Sequence, residues 1–239
     1  MELTNWRLKK SLLSAPILNL NFYLAMACQL FFIALSVLDW EQAIPAKSLF
    51  AASFHDVFFD HQYYRLLTAC FAHASWDHVL GNSIFFVPFA ALLSNYFGIL
   101  VFPIVSLLVG ALINLIVISL YPPDSSVLGI SGVIYFMVAF WLVLYVSIER
   151  GMTFRQKFIR SMGLALVEFM PEKFDVNTSY LSHAVGFALG LLFGAIFFYL
   201  NKERIRSFEV WELIEPEEPF IQSTEDDLLE RLNEASIQH

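Results

Sequence analysis

Charged side chains are scarce in this chain of 239 residues: Asp, Glu, Lys and Arg make up 15% of it, where a soluble domain has about a quarter. Cysteine is rarer still, and Cys28 and Cys70 are too few for a disulfide-stapled scaffold. The sequence also lacks a basic face with interleaved aromatic residues, which excludes a nucleic-acid-binding function. Apolar residues account for 58% of the chain and the mean hydropathy is +0.63, values typical of a protein whose solvent is a lipid bilayer.

The net charge of −8 belongs to the end of the chain. Residues 209–239 contain ten acids and one base, whereas residues 1–208 contain 12 acids and 13 bases. Pro216 and Pro219 interrupt the acidic segment. We expect a solvated tail, although residues 223–226 could begin a short helix that binds an unknown partner or docks on the protein itself.

Six apolar runs, separated by turn signals or charges, predict an all-α polytopic membrane protein. They cover residues 21–38, 79–97, 99–121, 130–148, 158–170 and 180–200. Five of them are near the roughly 20 residues that a helix needs to cross a bilayer. The fifth, at 158–170, is shorter and contains Arg160 and Glu168, so by itself it could also be an interfacial or re-entrant segment.

The distribution of basic residues favours six crossings over five. With six crossings, ten of the 14 bases lie close to the spans on one side, and only Lys47, Arg65 and Lys173 lie on the other; the remaining base, Arg231, lies in the acidic tail. The ten are Arg7, Lys9, Lys10, Arg150, Arg155, Lys157, Arg160, Lys202, Arg204 and Arg206. Because basic loops stay in the cytoplasm, both termini are predicted to be cytoplasmic. The first run could instead be a signal peptide, but no clear cleavage site follows it.

The segment between the first two spans, residues 38–76, is predicted to lie on the outer side. It is rich in Phe and Tyr among scattered polar residues. Such a segment either lies in the interfacial layer of the membrane or packs as a loop on the bundle.

Polar side chains inside membrane spans are costly, so each is a candidate for function. Here they fall at the beginning of three spans. His78 and Asn82 open the second span, four residues apart and therefore on one helical face. The fourth span opens with Gly129, Ser131 and Gly132, and the sixth with His183, Gly186, Gly190 and Gly194.

These three beginnings approach from the outer side and can meet in one shallow plane beneath it. From Asn82, Ser131 and His183 to their cytoplasmic ends, the helices are about 24, 26 and 28 Å long at 1.5 Å per residue. Each is slightly shorter than a bilayer core of about 30 Å. The glycines after His183 form a ridge that lets two helices approach closely. We expect this ridge to pack on the start of the fourth span and to bring His183 to Ser131.

This arrangement predicts a serine hydrolase with a Ser-His dyad. Neutral His183 would take the proton from the Ser131 hydroxyl, and Tyr135, one turn after Ser131, would hold the imidazole by ring contact. The Ser131 N–H, His78 and Asn82 would donate to the oxyanion. Taken singly, each residue has a structural interpretation: a serine bonded to its own helix, an interfacial histidine, or an asparagine joining two helices. Their common depth favours catalysis.

Other chemistries need residues that this sequence lacks. A membrane metalloprotease would carry H-E-x-x-H, and an aspartyl protease would carry paired Asp residues inside its spans. A small transporter would place paired ionisable groups near the midplane, whereas these polar groups lie near one face. We therefore predict neither a metal nor another cofactor.

The motifs resemble those of the rhomboid family of intramembrane serine proteases, over about residues 21–201. Residues 73–82 (HASWDHVLGN) fit the family's H-x-S-x-x-H-x-x-x-N, residues 129–132 (GISG) fit G-x-S-G, and residues 183–190 (HAVGFALG) fit H-x-x-G-x-x-x-G. The resemblance implies a six-helix bundle in which Ser131 is the nucleophile and His183 the base. It implies an oxyanion hole of His78, Asn82 and the Ser131 amide, supported by Tyr135, Gly129, Gly132, Gly186 and Gly190.

The resemblance also implies the kind of substrate. Family members cut membrane proteins that cross the bilayer once, near its outer face, and their mobile fifth helix resembles the run at 158–170, a lateral gate for a substrate helix. A rhomboid-like protein that binds or dislocates membrane proteins without cleaving them is the alternative.

Two positions depart from the family pattern. Ser94 stands where an acid is common, and Tyr64 replaces the Trp that usually precedes the arginine of the first outer loop, here Arg65. Both positions are structural in the family, so they bear on bundle stability and loop anchoring rather than on chemistry.

The predicted organisation has three parts. Residues 1–20 form a cytoplasmic segment, residues 21–201 the membrane domain, and residues 202–239 the acidic cytoplasmic tail. The sparse basic residues do not fit a mitochondrial transit peptide, and a bacterial plasma membrane is the expected location.

Overall fold

The computed structural model describes residues 6–42, 48–160 and 179–213. Its α-helices are α1 (Asn19–Gln42), α2 (Arg65–Thr68), α3 (Trp76–Phe97), α4 (Ser106–Leu120), α5 (Ser131–Ile148) and α6 (Tyr180–Arg206). A 3₁₀ turn covers Leu12–Ser14, and π-helical turns cover His55–Phe59 and Leu100–Val105. The strands are β1 (Trp6–Lys10), β2 (Ala52–Ser53), β3 (Ser126–Val127) and β4 (Val210–Leu213).

Five of the described helices are long and apolar enough to cross a bilayer. They are α1, α3, α4 together with the π-helical turn before it, α5 and α6, and they correspond to five of the six predicted runs. For the run at 158–170, helix is described for residues 154–160, and residues 161–170 lie outside the described part of the chain. Six crossings therefore stay a prediction, as does the orientation of the termini.

Local capping explains where α3 begins. It starts at Trp76, three residues before the predicted start, because the Ser75 hydroxyl accepts the His78 N–H at 3.2 Å and so satisfies a helix-terminal donor. Gly98 ends the helix with a φ of +84°, a conformation that favours glycine. His78 consequently lies in the first turn of α3.

The centre of the bundle is α5, of whose 18 residues 13 are buried. It packs against α3, α4 and α6, while α1 packs on the far side against α3. A helix that is apolar on all sides suits this central position, and the sequence of α5 has no charged residue. Residues at the ends of α5 are thereby held by neighbouring helices on several sides.

Glycines allow the backbones of α5 and α6 to touch. A Cβ atom on Gly186 would collide with the backbone carbonyl of Gly132. One turn along α6, a Cβ on Gly190 would collide with the Phe136 carbonyl and lie 2.7 Å from the Ala139 Cβ. The predicted ridge of small residues therefore faces the beginning of α5, and no other residue type would fit at these two positions without displacing a backbone.

Two short antiparallel sheets were not anticipated by the all-α prediction. β1 pairs with β4, which sets Trp6 opposite Leu213, and the Lys9 ammonium contacts Glu212 at 2.8 Å. β2 pairs with β3 in the same way on two residues each. The chain is mostly helical, but the prediction was wrong for these segments because strands this short show no readable alternation, and their partners are distant in sequence.

Replacing Gly190 by Ala should destabilise the protein, whereas replacing Gly81 by Ala should not. A Cβ on Gly81 meets no atom within 4 Å, and alanine is the better helix former. At Gly190 the added methyl must push α5 and α6 apart, at a cost of about 1–3 kcal/mol. Thermal unfolding of both variants in dodecylmaltoside micelles measures the difference. Equal midpoints for the two variants would contradict a close contact at Gly190.

Candidate active site

Ser131 and His183 lie side by side at the beginning of α5 and α6. Ser131 Oγ and His183 Nε2 are 3.0 Å apart, within hydrogen-bond distance. The Tyr135 ring stacks on the imidazole, with centroids 4.2 Å apart and planes 11° from parallel. Tyr180 meets the same imidazole edge-on at 6.2 Å. The two tyrosine rings limit the rotation of the imidazole and leave its Nε2 facing the serine hydroxyl.

The first turn of α6 is tied to the end of α4. Ser179 caps α6 by accepting the Ser182 N–H at 3.3 Å, and its hydroxyl lies 2.9 Å from the Tyr121 hydroxyl at the end of α4. The His183 N–H donates to the Ser179 carbonyl at 3.3 Å. The backbone that carries His183 is thus held by its cap as well as by the glycine contact with α5.

The beginning of α3 approaches the same place from another side. Gly129 has a φ of +121°, and a Cβ on it would lie 2.9 Å from the His78 Cε1. The His78 ring therefore lies directly against the backbone two residues before Ser131, a position that only glycine permits.

Asn82 lies one turn after His78 on α3. Its side-chain Nδ2 is buried and has no hydrogen-bond partner among the described residues. An unsatisfied buried donor costs about 1–3 kcal/mol, so its persistence at this position is consistent with an acceptor that arrives only with a ligand.

His73 joins these elements although it belongs to none of the long helices. It is fully buried, its carbonyl accepts the Trp40 indole N–H at 2.7 Å, and its Nδ1 lies 3.3 Å from Ser36 Oγ. Its Nε2 accepts the Ile130 N–H at 3.4 Å, and its ring meets His78 edge-to-face at 5.1 Å. The side chain thereby links α1 to the residue that precedes Ser131.

The loop between α1 and α3 supports the backbone that leads to Ser131. The buried Arg65 guanidinium donates to the Ala51 carbonyl at 2.7 Å, to the Ser48 carbonyl at 3.1 Å, and to the Gln62 side chain. The segment that Arg65 binds continues into β2, which pairs with β3. Since β3 ends two residues before Gly129, the loop reaches the candidate site through this pairing.

The two departures from the family pattern differ in their surroundings. Tyr64 is 58% exposed, and its ring lies 5.9 Å from the Arg65 guanidinium carbon. Ser94 is buried and donates to the Ala91 carbonyl of its own helix at 3.1 Å. In this protein the arginine is anchored mainly by backbone carbonyls, and the serine bonds within α3.

A small cavity adjoins the serine. Its volume of about 20 Å³ is enough for roughly one water molecule. Its polar lining includes Asn114, Ser131, Ser179 and Ser182. A water molecule held there would lie close to the Ser131 hydroxyl.

Potential metal ligands come together away from this cavity. In the described ranges, His55, Asp56 and Asp60 bring their ligand atoms within 4.8 Å of one another on the loop between α1 and α3. Asp56 already accepts the Ser53 hydroxyl at 2.8 Å, and none of the three lines the cavity at Ser131. The expectation that the reaction needs no metal or other cofactor stays a prediction.

Sequence reasoning missed three residues that organise the site: His73, Ser36 and Ser179. His73 opens the stretch that resembles the family motif, so its position was visible but its contacts were not. Ser36 lies within an apolar run without any local signal. A capping serine such as Ser179 could have been suspected from its place just before an apolar run.

Comparison with protein-family models matches residues 60–200 to the Rhomboid domain. A search of curated proteins found no match. The matched range extends from the loop between α1 and α3 to α6, and it includes Ser131, His183, His78 and Asn82.

Stability should fall with decreasing pH partly because of His73. Burial lowers the pKa of His73 from 6.5 to about 3, and the neighbouring His78 adds to the shift. Between pH 3 and pH 6.5 the His73 side chain binds fewer protons in the folded protein than in the unfolded chain. Its contribution to the free energy of unfolding is therefore fully present above pH 6.5, and below that pH it declines by on the order of 1 kcal/mol per pH unit. Thermal unfolding at pH 7 and pH 5 should show a larger loss for the wild type than for His73→Gln; equal losses would contradict the assignment.

Proposed function

The chain belongs to the rhomboid family of integral membrane proteins, and from this we propose that it is an intramembrane serine endopeptidase with Ser131 as nucleophile and His183 as base. The family consists generally of intramembrane proteases but includes non-catalytic members. The observation that carries the proposal is the 3.0 Å distance between Ser131 Oγ and His183 Nε2. Two side chains at this distance can transfer a proton directly.

In the proposed reaction, Ser131 Oγ attacks the carbonyl carbon of the scissile peptide while His183 Nε2 takes the hydroxyl proton. His183 then gives this proton to the leaving amine, and the acyl chain remains as an ester on Ser131. A water molecule, deprotonated by His183, attacks the ester, releases the new carboxylic acid and restores the serine. The cavity beside Ser131 is a suitable place for that water.

The negative oxygen formed at each attack needs hydrogen-bond donors. We assign this role to the Ser131 N–H, at the positive end of α5, and to the side chains of His78 and Asn82. The unpartnered Asn82 Nδ2 supports the assignment, because it is a donor already separated from water. Tyr135 and the glycines at 129, 132, 186 and 190 would act by holding this geometry.

The same geometry favours an enzyme over a rhomboid-like binding or dislocation protein. A protein that only binds membrane segments has no need for an imidazole held by two rings against a serine hydroxyl. It also has no need for a buried amide donor without a partner, which lowers stability.

The proposed substrates are membrane proteins whose transmembrane segment enters the bundle from the bilayer. We propose six crossings with cytoplasmic termini, so that Ser131 lies beneath the outer face and the tail from 202 to 239 lies in the cytoplasm. In this topology eleven of the 14 basic residues face the cytoplasm, ten of them close to the spans and Arg231 in the tail. Entry past residues 158–170 and location in a bacterial plasma membrane belong to the same proposal.

A fluorophosphonate probe should label the wild-type protein and fail to label Ser131→Ala. The matched control is Ser119→Ala, because Ser119 is an exposed serine whose hydroxyl donates to the Leu115 carbonyl of its own helix. Labelling of folded protein in detergent, read by in-gel fluorescence, measures the result.

The same pair of variants tests proteolysis in cells. Membrane proteins that lose an outer segment in the wild type should remain intact with Ser131→Ala, as measured by quantitative membrane proteomics. A folded wild type that neither labels nor changes any membrane protein relative to Ser131→Ala would favour the binding protein.

Asn82→Ala should slow labelling by a fluorophosphonate by about 10²-fold, because one donor to the developing negative oxygen is lost. The free energy of unfolding should not fall, since the variant removes a buried donor that has no partner among the described residues. Ser83→Ala is the control on the same helix, and its hydroxyl bonds to the Val79 carbonyl. The labelling rate and the unfolding midpoint are measured for both variants. A slow Asn82→Ala variant that is also strongly destabilised would argue for a structural role instead.

A further inference from the structure

His73 is a buried titratable residue to which the proposed reaction assigns no step. It has no exposed surface, and its carbonyl and both ring nitrogens have partners. The carbonyl oxygen accepts from Trp40 on α1, Nδ1 faces Ser36 on α1, and Nε2 faces the Ile130 N–H. A neutral imidazole carries one ring proton, so the partners determine which nitrogen bears it.

Ser36 determines the position of that proton. A serine hydroxyl has a single hydrogen, and Ser36 Oγ lies 2.7 Å from the Phe32 carbonyl, which can only accept. With its hydrogen used there, Ser36 can offer only a lone pair to His73 Nδ1, 3.3 Å away. Nδ1 of His73 therefore carries the proton and donates it to Ser36, and Nε2 is left as an acceptor.

The Ile130 N–H requires that acceptor. It points at His73 Nε2 over 3.4 Å, and the preceding Gly129 N–H donates to the Ala69 carbonyl at 2.8 Å. The two amides directly before Ser131 are thus both held from outside α5. The opposite tautomer of His73 would set two N–H groups against each other at Ile130.

We propose that Ser36 and His73 are positioning residues of the proposed protease: Ser36 keeps His73 in the Nδ1–H tautomer, and His73 Nε2 holds the Ile130 peptide so that the next amide, the Ser131 N–H, faces the oxyanion. The inference rests on the proposed function. It assigns to α1, outside the motifs that suggested catalysis, an influence on the reacting atoms through two hydrogen bonds. His73 also lies edge-to-face against His78, so the same pair positions a second proposed donor.

The tautomer is measured by NMR on the full-length protein in micelles, with ¹⁵N-labelled histidine and His73→Gln for assignment. The expected spectrum shows a protonated Nδ1 and an unprotonated Nε2 for His73. Ser36→Ala should raise the fraction protonated at Nε2, and Ser36→Thr, which keeps the hydroxyl, should restore the wild-type tautomer. A wild-type His73 protonated at Nε2 would overturn the proposal without any assay of activity.

The effect on the reaction is measured by the rate of fluorophosphonate labelling. Ser36→Ala should lower the maximal labelling rate about tenfold, because small displacements of reacting groups slow the chemical step. The probe concentration that gives half the maximal rate should change less than about twofold. The matched control is Ser106→Ala, since Ser106 is equally buried and its hydroxyl donates to the Val101 carbonyl, as the Ser36 hydroxyl donates to the Phe32 carbonyl. Ser36→Thr should recover the labelling rate. His73→Gln, which keeps a hydrogen-bond acceptor, should be labelled faster than His73→Leu.

The outcomes separate this inference from the proposed function. If the wild type labels and Ser36→Ala labels at the rate of Ser106→Ala, the positioning role is wrong and the protease stands. If the wild type never labels, the proposed function fails, and with it the positioning role. If Ser36→Ala does not fold, the wild-type tautomer and the comparison of His73→Gln with His73→Leu decide.

Discussion

The contact of α5 with α6 through glycine is the constraint on which the rest of the site depends. Gly186 and Gly190 bring the α6 backbone against the carbonyls of Gly132 and Phe136, so the second turn of α6 lies beside the first turn of α5. Only then does a histidine in the first turn of α6 come within 3.0 Å of Ser131. Packing of small residues, rather than attraction between the two side chains, sets this distance. Close packing of small residues is especially important in a bilayer, because lipid tails are as apolar as the helices and provide no hydrophobic force that would press the helices together.

A second layer of contacts acts on the backbone before Ser131. The Gly129 N–H donates to Ala69 and the Ile130 N–H to His73, while the pairing of β2 with β3 ties the same segment to the loop between α1 and α3. Many of these bonds are made by buried groups, which would be costly to leave unpaired. The approach to the serine is therefore stiff, whereas the Asn82 amide on α3 has no hydrogen-bond partner among the described residues.

Much of the helical architecture could be predicted from the sequence, since apolar length and turn residues identified the five described membrane helices. The glycine ridge was also predictable, because small residues at spacings of three and four have few other uses in a membrane helix. The two sheets were not, because β1 and β4 are short and come from opposite ends of the described chain. The contacts of Ser36 and His73 were equally hidden, since a serine in an apolar run carries no sign of what it faces. The count of six crossings stays a prediction.

The sequence alone determined that this chain belongs in a bilayer and that its spans carry polar residues, which are tolerated there mainly near a surface. It also determined which of these residues match a serine-histidine chemistry. These are properties of composition and spacing along one dimension. Only the tertiary structure decided that Ser131 and His183 lie at hydrogen-bond distance, that Asn82 keeps an unpaired amide, and that α1 reaches the candidate site through His73. Those facts depend on the relative depth and rotation of separate helices, and these are set by packing between residues far apart in the sequence.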